Sequence, residues 1–127
     1  MGLFGSGCSP STPPAHPSNP LPDCPSTPNC ERASVSFDVP ADTLYSAVLR
    51  AMDALHPTEM TSNPDRRQAS AVYRVALMFK DDVRIAVEPD GNASLLHVRS
   101  ASRVGQSDLG VNARRVNRLL ETVRNQL

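Results

Sequence analysis

Tryptophan is absent, and aromatic residues make up only 4% of the 127 residues. That leaves too few rings for a platform that stacks single-stranded nucleic acid. Lysine is almost missing as well: Lys80 stands alone beside 12 arginines. Net charge is lacking, with 13 basic residues against 13 acidic ones. No bulk field therefore draws the chain to nucleic acid or to an anionic membrane. No apolar run reaches the roughly 18 residues of a membrane-spanning helix, so no transmembrane segment is expected. Cysteine is scarce, at positions 8, 24 and 30. Together with the single histidines His16, His56 and His97, the cysteines do not form the close ligand pairs of a structural zinc site. Neither a metal nor a cofactor is expected.

Proline is abundant, but only at one end. Eight of the 12 prolines lie in the first 30 residues, with many Ser and Thr and one charge, Asp23. Such composition buries too little apolar surface to offset its ordering entropy. Residues 1–22 are read as a disordered Pro/Ser/Thr-rich tail, and 23–127 as one domain, ordered from near Cys24. The opening Leu3-Phe4-Gly5-Ser6-Gly7-Cys8 has the outline of a lipoprotein signal end without its apolar region. It tips the expected location toward the cell envelope rather than the cytoplasm.

Periodicity gives an α+β fold: an antiparallel sheet with two helices on one face. Ala33-Ser34-Val35-Ser36-Phe37 alternates as a short strand. Asp38 and Pro40 supply a helix start. Leu44, Tyr45, Val48, Leu49, Met52 and Leu55 form one stripe of an amphipathic helix over residues 41–55, stopped by Pro57. A weak strand follows at 58–62. Better strands are expected at 71–79, with Tyr73, Val75, Leu77 and Phe79 on one face, at 82–88 around Val83, Ile85 and Val87, and at 93–102 around Leu96 and Val98. Pro89-Asp90-Gly91-Asn92 is a turn. Leu109, Val116, Leu119, Leu120, Val123 and Leu127 mark a final helix over residues 108–126, with Ser107 or Asp108 as its N-cap.

The chemistry concentrates near the C-terminus. Between positions 99 and 124 stand six arginines (99, 103, 114, 115, 118, 124) and two acids, Asp108 and Glu121. Strand alternation puts His97, Arg99 and Arg103 on the face opposite Leu96 and Val98. The strand then runs through Ser100, Ser102 and Gly105 into a helix start with free N–H groups. Arginines, hydroxyls and a helix start suit an anion or polar ligand. The candidate site is Arg99, Ser100, Ser102, Arg103, Ser107, Asp108 and Asn112. The competing reading gives these residues a structural job: arginines on a solvated face, Arg99 paired with Glu88, and Asp108 capping the helix. Cys24 and Cys30 form either a local disulfide or a pair of packed thiols.

Cys24-Pro-Ser-Thr-Pro-Asn-Cys30 and the stretch Val98-Arg99-Ser100-Ala101-Ser102-Arg103-Val104-Gly105-Gln106-Ser107-Asp108-Leu109-Gly110-Val111-Asn112 together resemble the bacterial and plastid family known as domain of unknown function 1499. The chain departs from it at Glu31-Arg32-Ala33-Ser34 and at Gln106, where the family often carries an aromatic residue. The family carries no established activity. The resemblance implies that Cys24, Asn29 and Cys30 belong with Arg99, Ser100, Ser102, Arg103, Ser107, Asp108 and Asn112. Several small donors beside arginines, without an evident nucleophile–base pair, favour a non-catalytic binding or interaction module. Its partner would be an anionic small molecule or an acidic protein segment, and not nucleic acid. The alternatives are an enzyme using Asp108 or a cysteine thiolate in the same pocket, or a redox-sensitive structural domain using Cys24 and Cys30.

Overall fold

The computed structural model describes residues 19–26, 29–75, 79–104 and 110–127. Its elements follow in the order β1 (Cys30–Phe37), α1 (Ala41–Ala54), β2 (Glu59–Asn63), β3 (Gln68–Val75), β4 (Phe79–Asp90), β5 (Ala93–Ser102) and α2 (Val111–Gln126). All strand pairs are antiparallel, in the order β1-β5-β4-β3-β2. The chain is thus the expected α+β layer: a meander from β2 to β5, with β1 closing against β5. Among the described residues no helix is long and apolar enough to cross a membrane.

Both helices cover one sheet face. Leu44, Ala47, Val48, Ala51 and Met52 of α1 are fully buried. Val116, Leu119, Leu120 and Val123 of α2 join them in one core. The sheet contributes the alternate residues Val83, Ile85, Val87, Leu96 and Val98, none more than 3% exposed. These are the positions the period-two pattern assigns to the interior. Each buried branched side chain stabilises the fold by roughly 1.5–3 kcal/mol.

Three details differ from the sequence reading. The strand expected over 71–79 is two strands: Val75 pairs with Phe79 in antiparallel register, and Phe79 is half exposed. Residues 76–78, including Leu77, lie outside the described residues. Ala76-Leu77-Met78 carries no Gly, Pro, Asn or Asp, so nothing in the text marked a reversal there. Second, α2 starts later than expected. Its N-cap is Gly110, at φ 81° and without a side-chain cap; Ser107, Asp108 and Leu109 lie outside the described residues. The positive φ at Gly110 favours glycine, and a Cβ there would require the Arg114 guanidinium, 3.1 Å away, to give slightly. Third, residues 19–22, assigned to the tail by composition, pack on the sheet. Leu21 is buried, and its backbone N–H donates to Asn19 Oδ1 at 2.9 Å.

Candidate functional site

Strand β5 sorts the candidate residues onto two faces. Leu96, Val98, Ser100 and Ser102 point to the helices; His97, Arg99 and Arg103 point away. The structure brings Ser100, Ser102 and Asn112 together, and sets Arg99 and Arg103 on the opposite side. Ser107 and Asp108 lie outside the described residues.

On the helix side the Ser100 hydroxyl donates to Asn112 Oδ1 at 2.5 Å. The Asn112 amide donates to the Asn29 carbonyl at 3.0 Å and to Ser102 Oγ at 2.9 Å. The Ser102 backbone N–H reaches that same Asn29 carbonyl at 3.0 Å. Ser100 and Asn112 are fully buried. Cys30, next to Asn29, is joined to Cys24 by a disulfide with a Cα–Cα distance of 5.7 Å. The residues shared by the two sequence motifs thus form a buried hydrogen-bonded knot between the cysteine loop, β5 and the start of α2.

The other sheet face carries a strap, residues 19–24. Arg32, Arg99 and Arg84 stand side by side on β1, β5 and β4. Arg32 donates to the Leu21 carbonyl at 2.9 Å and pairs with the Asp23 carboxylate at 3.2 Å. Arg99 donates to the Pro22 carbonyl at 3.1 Å and more weakly to that of Asp23. Its expected partner Glu88 instead accepts from His97 Nε2 at 2.6 Å. A carboxylate can only accept, so Nε2 bears a proton. His97 Nδ1 meets Ser34 Oγ at 2.8 Å, and Asn19 of the strap donates to that same oxygen at 3.0 Å. Arg103 grips Asp82 with two bonds of 3.0 Å. This hydrogen-bonded carboxylate raises the Arg103 pKa further.

A third location lies on the rim between the two helices, where the end of α1 faces the first turns of α2. Helix α1 ends at His56, which takes a left-handed φ of 61° just before Pro57. His56 and Leu55 face Val111, Arg114, Arg115 and Arg118 of α2 across a cleft of about 530 Å³. Arg114 and Arg118, four residues apart, share one helix face. Arg115 pairs with the buried Asp81 at 3.0 Å and lies 4.9 Å over the Tyr73 ring, a cation–π contact. Its Nε is buried without a hydrogen-bond partner among the described residues. The Tyr73 hydroxyl donates to the Met52 carbonyl at 2.7 Å. Burial pushes its pKa up from 10.0 to about 12, against the opposing pull of Arg115. The sequence showed these arginines as a basic run; what it did not show was His56 opposite them, since that needs the packing of α1 on α2. Among the described residues no group of three or more His, Cys, Asp or Glu side chains could hold a metal ion.

No curated protein matches the chain in sequence. Among solved structures, that of Ara h 8.0201 superposes with a TM-score of 0.54 at 10% identity, covering 76% of this chain and 92% of that one. BexL, a di-domain ARO/CYC from the BE-7585A biosynthetic pathway, gives 0.50 at 16% identity over 77% of this chain. This chain spans only 43% of BexL. A START superfamily protein from Mycobacterium smegmatis gives 0.49 at 16% identity, over 76% and 95% of the two chains. At these identities the first two likenesses show a shared fold. The family described as "Protein of unknown function (DUF1499)" matches residues 9–123, and with that span of sequence matched the chain belongs to that family.

Proposed function

We propose that the chain is a non-catalytic binding module for an anionic ligand, taken at the rim cleft where α1 ends and α2 begins. One observation carries the reading: among the described residues, three guanidinium groups and an imidazole line this cleft, and no carboxylate does. The cleft also lies at the positive end of a 16-residue helix, where the dipole adds to the attraction for anions. Arg118 has no side-chain partner among the described residues. Arg115 is oriented by Asp81 and Tyr73, so one face of the site is pre-ordered. The buried knot of Ser100, Ser102 and Asn112 supports it from below by fixing the start of α2. Arg99 and Arg103 lie on the other sheet face and belong to a separate surface. The Cys24–Cys30 disulfide supports a location in the cell envelope, since such bonds persist in oxidising compartments.

The reading is tested by titrating the full chain with inorganic phosphate and following backbone amide signals. Signals of Val111, Arg115 and Arg118 shift, and the affinity falls as salt is added. Arg118→Gln weakens binding by about tenfold, the loss of one charge-assisted contact. Unmoved signals at α2, or equal affinity in Arg118→Gln, would overturn the assignment.

A further inference from the structure

On the sheet face turned away from the helices, three strands each present an arginine at the same level: Arg32, Arg99 and Arg84. Like charges on neighbouring strands repel unless acceptors stand among them. For the first two, the strap supplies those acceptors: main-chain carbonyls of Leu21, Pro22 and Asp23, and the Asp23 carboxylate. The third is different. Arg84 is exposed and, among the described residues, makes no hydrogen bond or ion pair. Asp82, two residues along the same strand face, is occupied by Arg103 on both oxygens.

Arg84 opens instead into a cleft of about 270 Å³. Pro20, Leu21 and Pro22 of the strap form one wall, and Thr61 and Ser70 stand on the other side. The Thr61 and Ser70 hydroxyls lie 2.8 Å apart, continuing the level of the arginine row across β3 and β2. The cleft therefore offers one unspent guanidinium, a pair of hydroxyls and an apolar wall of extended chain.

We propose that this cleft is a second binding site, taking a short extended acidic peptide segment that lies beside the strap. Charge complementarity and the strap itself argue for that occupant. Arg32 and Arg99 already hold a Leu-Pro-Asp segment by its carbonyls and its carboxylate. Arg84 repeats the same group at the next strand. The peptide carboxylate meets Arg84 as Asp23 meets Arg32, and its carbonyl or amide groups meet Thr61 and Ser70. One wall of the site exists only while the strap is seated, and the Cys24–Cys30 disulfide anchors that strap at its end. Binding at this cleft is therefore coupled to the oxidised state of the two cysteines. The site shares no residue with the rim cleft and does not depend on it.

The experiment uses the full oxidised chain and the peptide acetyl-Leu-Pro-Asp-amide, a copy of residues 21–23, with amide signals as readout. Signals of Thr61, Ser70 and Arg84 shift on titration. The Asn-for-Asp peptide binds about tenfold more weakly, as does the Arg84→Gln variant. Reducing the disulfide, or the Cys24→Ser/Cys30→Ser variant, lowers the affinity by a similar factor while the core signals stay dispersed. Equal binding of the two peptides, equal binding to Arg84→Gln, or shifts confined to Arg32 and Arg99 would overturn the site. Unchanged affinity after reduction would overturn the coupling to the strap. Phosphate binding at α2 is read from separate signals, so either site can fail alone.

Discussion

Ser100 and Asn112 meet across the junction of β5 and α2, the serine hydroxyl donating to the asparagine carbonyl oxygen at 2.5 Å in the fully buried interior. Asn112→Ala takes a partner from the Ser100 hydroxyl and from the Ser102 side chain and removes a donor to the Asn29 carbonyl. Each buried group stripped of its bond costs about 1–3 kcal/mol. A urea titration should therefore show Asn112→Ala destabilised by at least that much. A midpoint equal to wild type would show that water replaces the amide.

Asp81 and Arg115 form a buried ion pair, with the carboxylate side chain 2% and the arginine 17% exposed. Asp81→Ala leaves the guanidinium over Tyr73 without its counter-ion, an expected loss of about 3–5 kcal/mol. Arg103→Ala breaks a pair in which both side chains are 44% exposed. Its melting temperature should stay at the wild-type value, because solvent screens such pairs. Thermal melts of the two variants give the comparison, and equal losses would contradict it.

Tyr73 sets an alkaline limit. Its folded pKa, about 12, lies above the ordinary 10.0, so the unfolded chain loses the phenolic proton first. The stability from burying neutral Tyr73 is complete below about pH 10 and is lost as pH rises toward 12. Chemical denaturation across that window should show a falling stability for wild type, and a shallower fall for Tyr73→Phe.

Reducing the Cys24–Cys30 bond frees a short loop, a destabilisation of roughly 2–3 kcal/mol at most. Because Leu21 and Asn19 lie on the same strap, the effect is local: amide exchange at Leu21 and Arg32 accelerates while α1 keeps its protection. Thiol titration of protein from its own compartment, denatured without reductant, checks the bond directly. Three free thiols there would place the chain in a reducing environment.

Much of the architecture was legible because its signals are periodic. The stripe from Leu44 to Met52 and the alternation of Val83, Ile85 and Val87 each repeat one demand many times. The β3–β4 reversal was not legible, because an Ala-Leu-Met connection carries no turn chemistry. Of the candidate site, alternation put Arg99 and Arg103 on a shared face. It did not show that Ser100, Ser102 and Asn112 would be spent on one another. Hydrogen-bond partners such as Asn29 and Asn112 lie far apart in sequence, and only packing brings them together. Asn19 and Leu21 escaped notice for a related reason: a proline-rich stretch holds too few apolar groups to announce that the arginines of the sheet would hold it down.

The pairing of β1 with β5, which sets Cys30 opposite Ala101, has a consequence for how the chain is made. During synthesis from the N-terminus, β1 leaves the ribosome well before the strand that completes it. Helix α1 and the β2–β4 meander can associate locally, since their contacts are short in sequence. Strand β1 meanwhile has a bare ladder of N–H and C=O groups, open to pairing with another chain. Six prolines from Pro14 to Pro28 precede it closely, and proline cannot donate to a ladder. The sheet is sealed only when β5 arrives and Asn112 closes over the Asn29 carbonyl, so this fold is finished at its C-terminus.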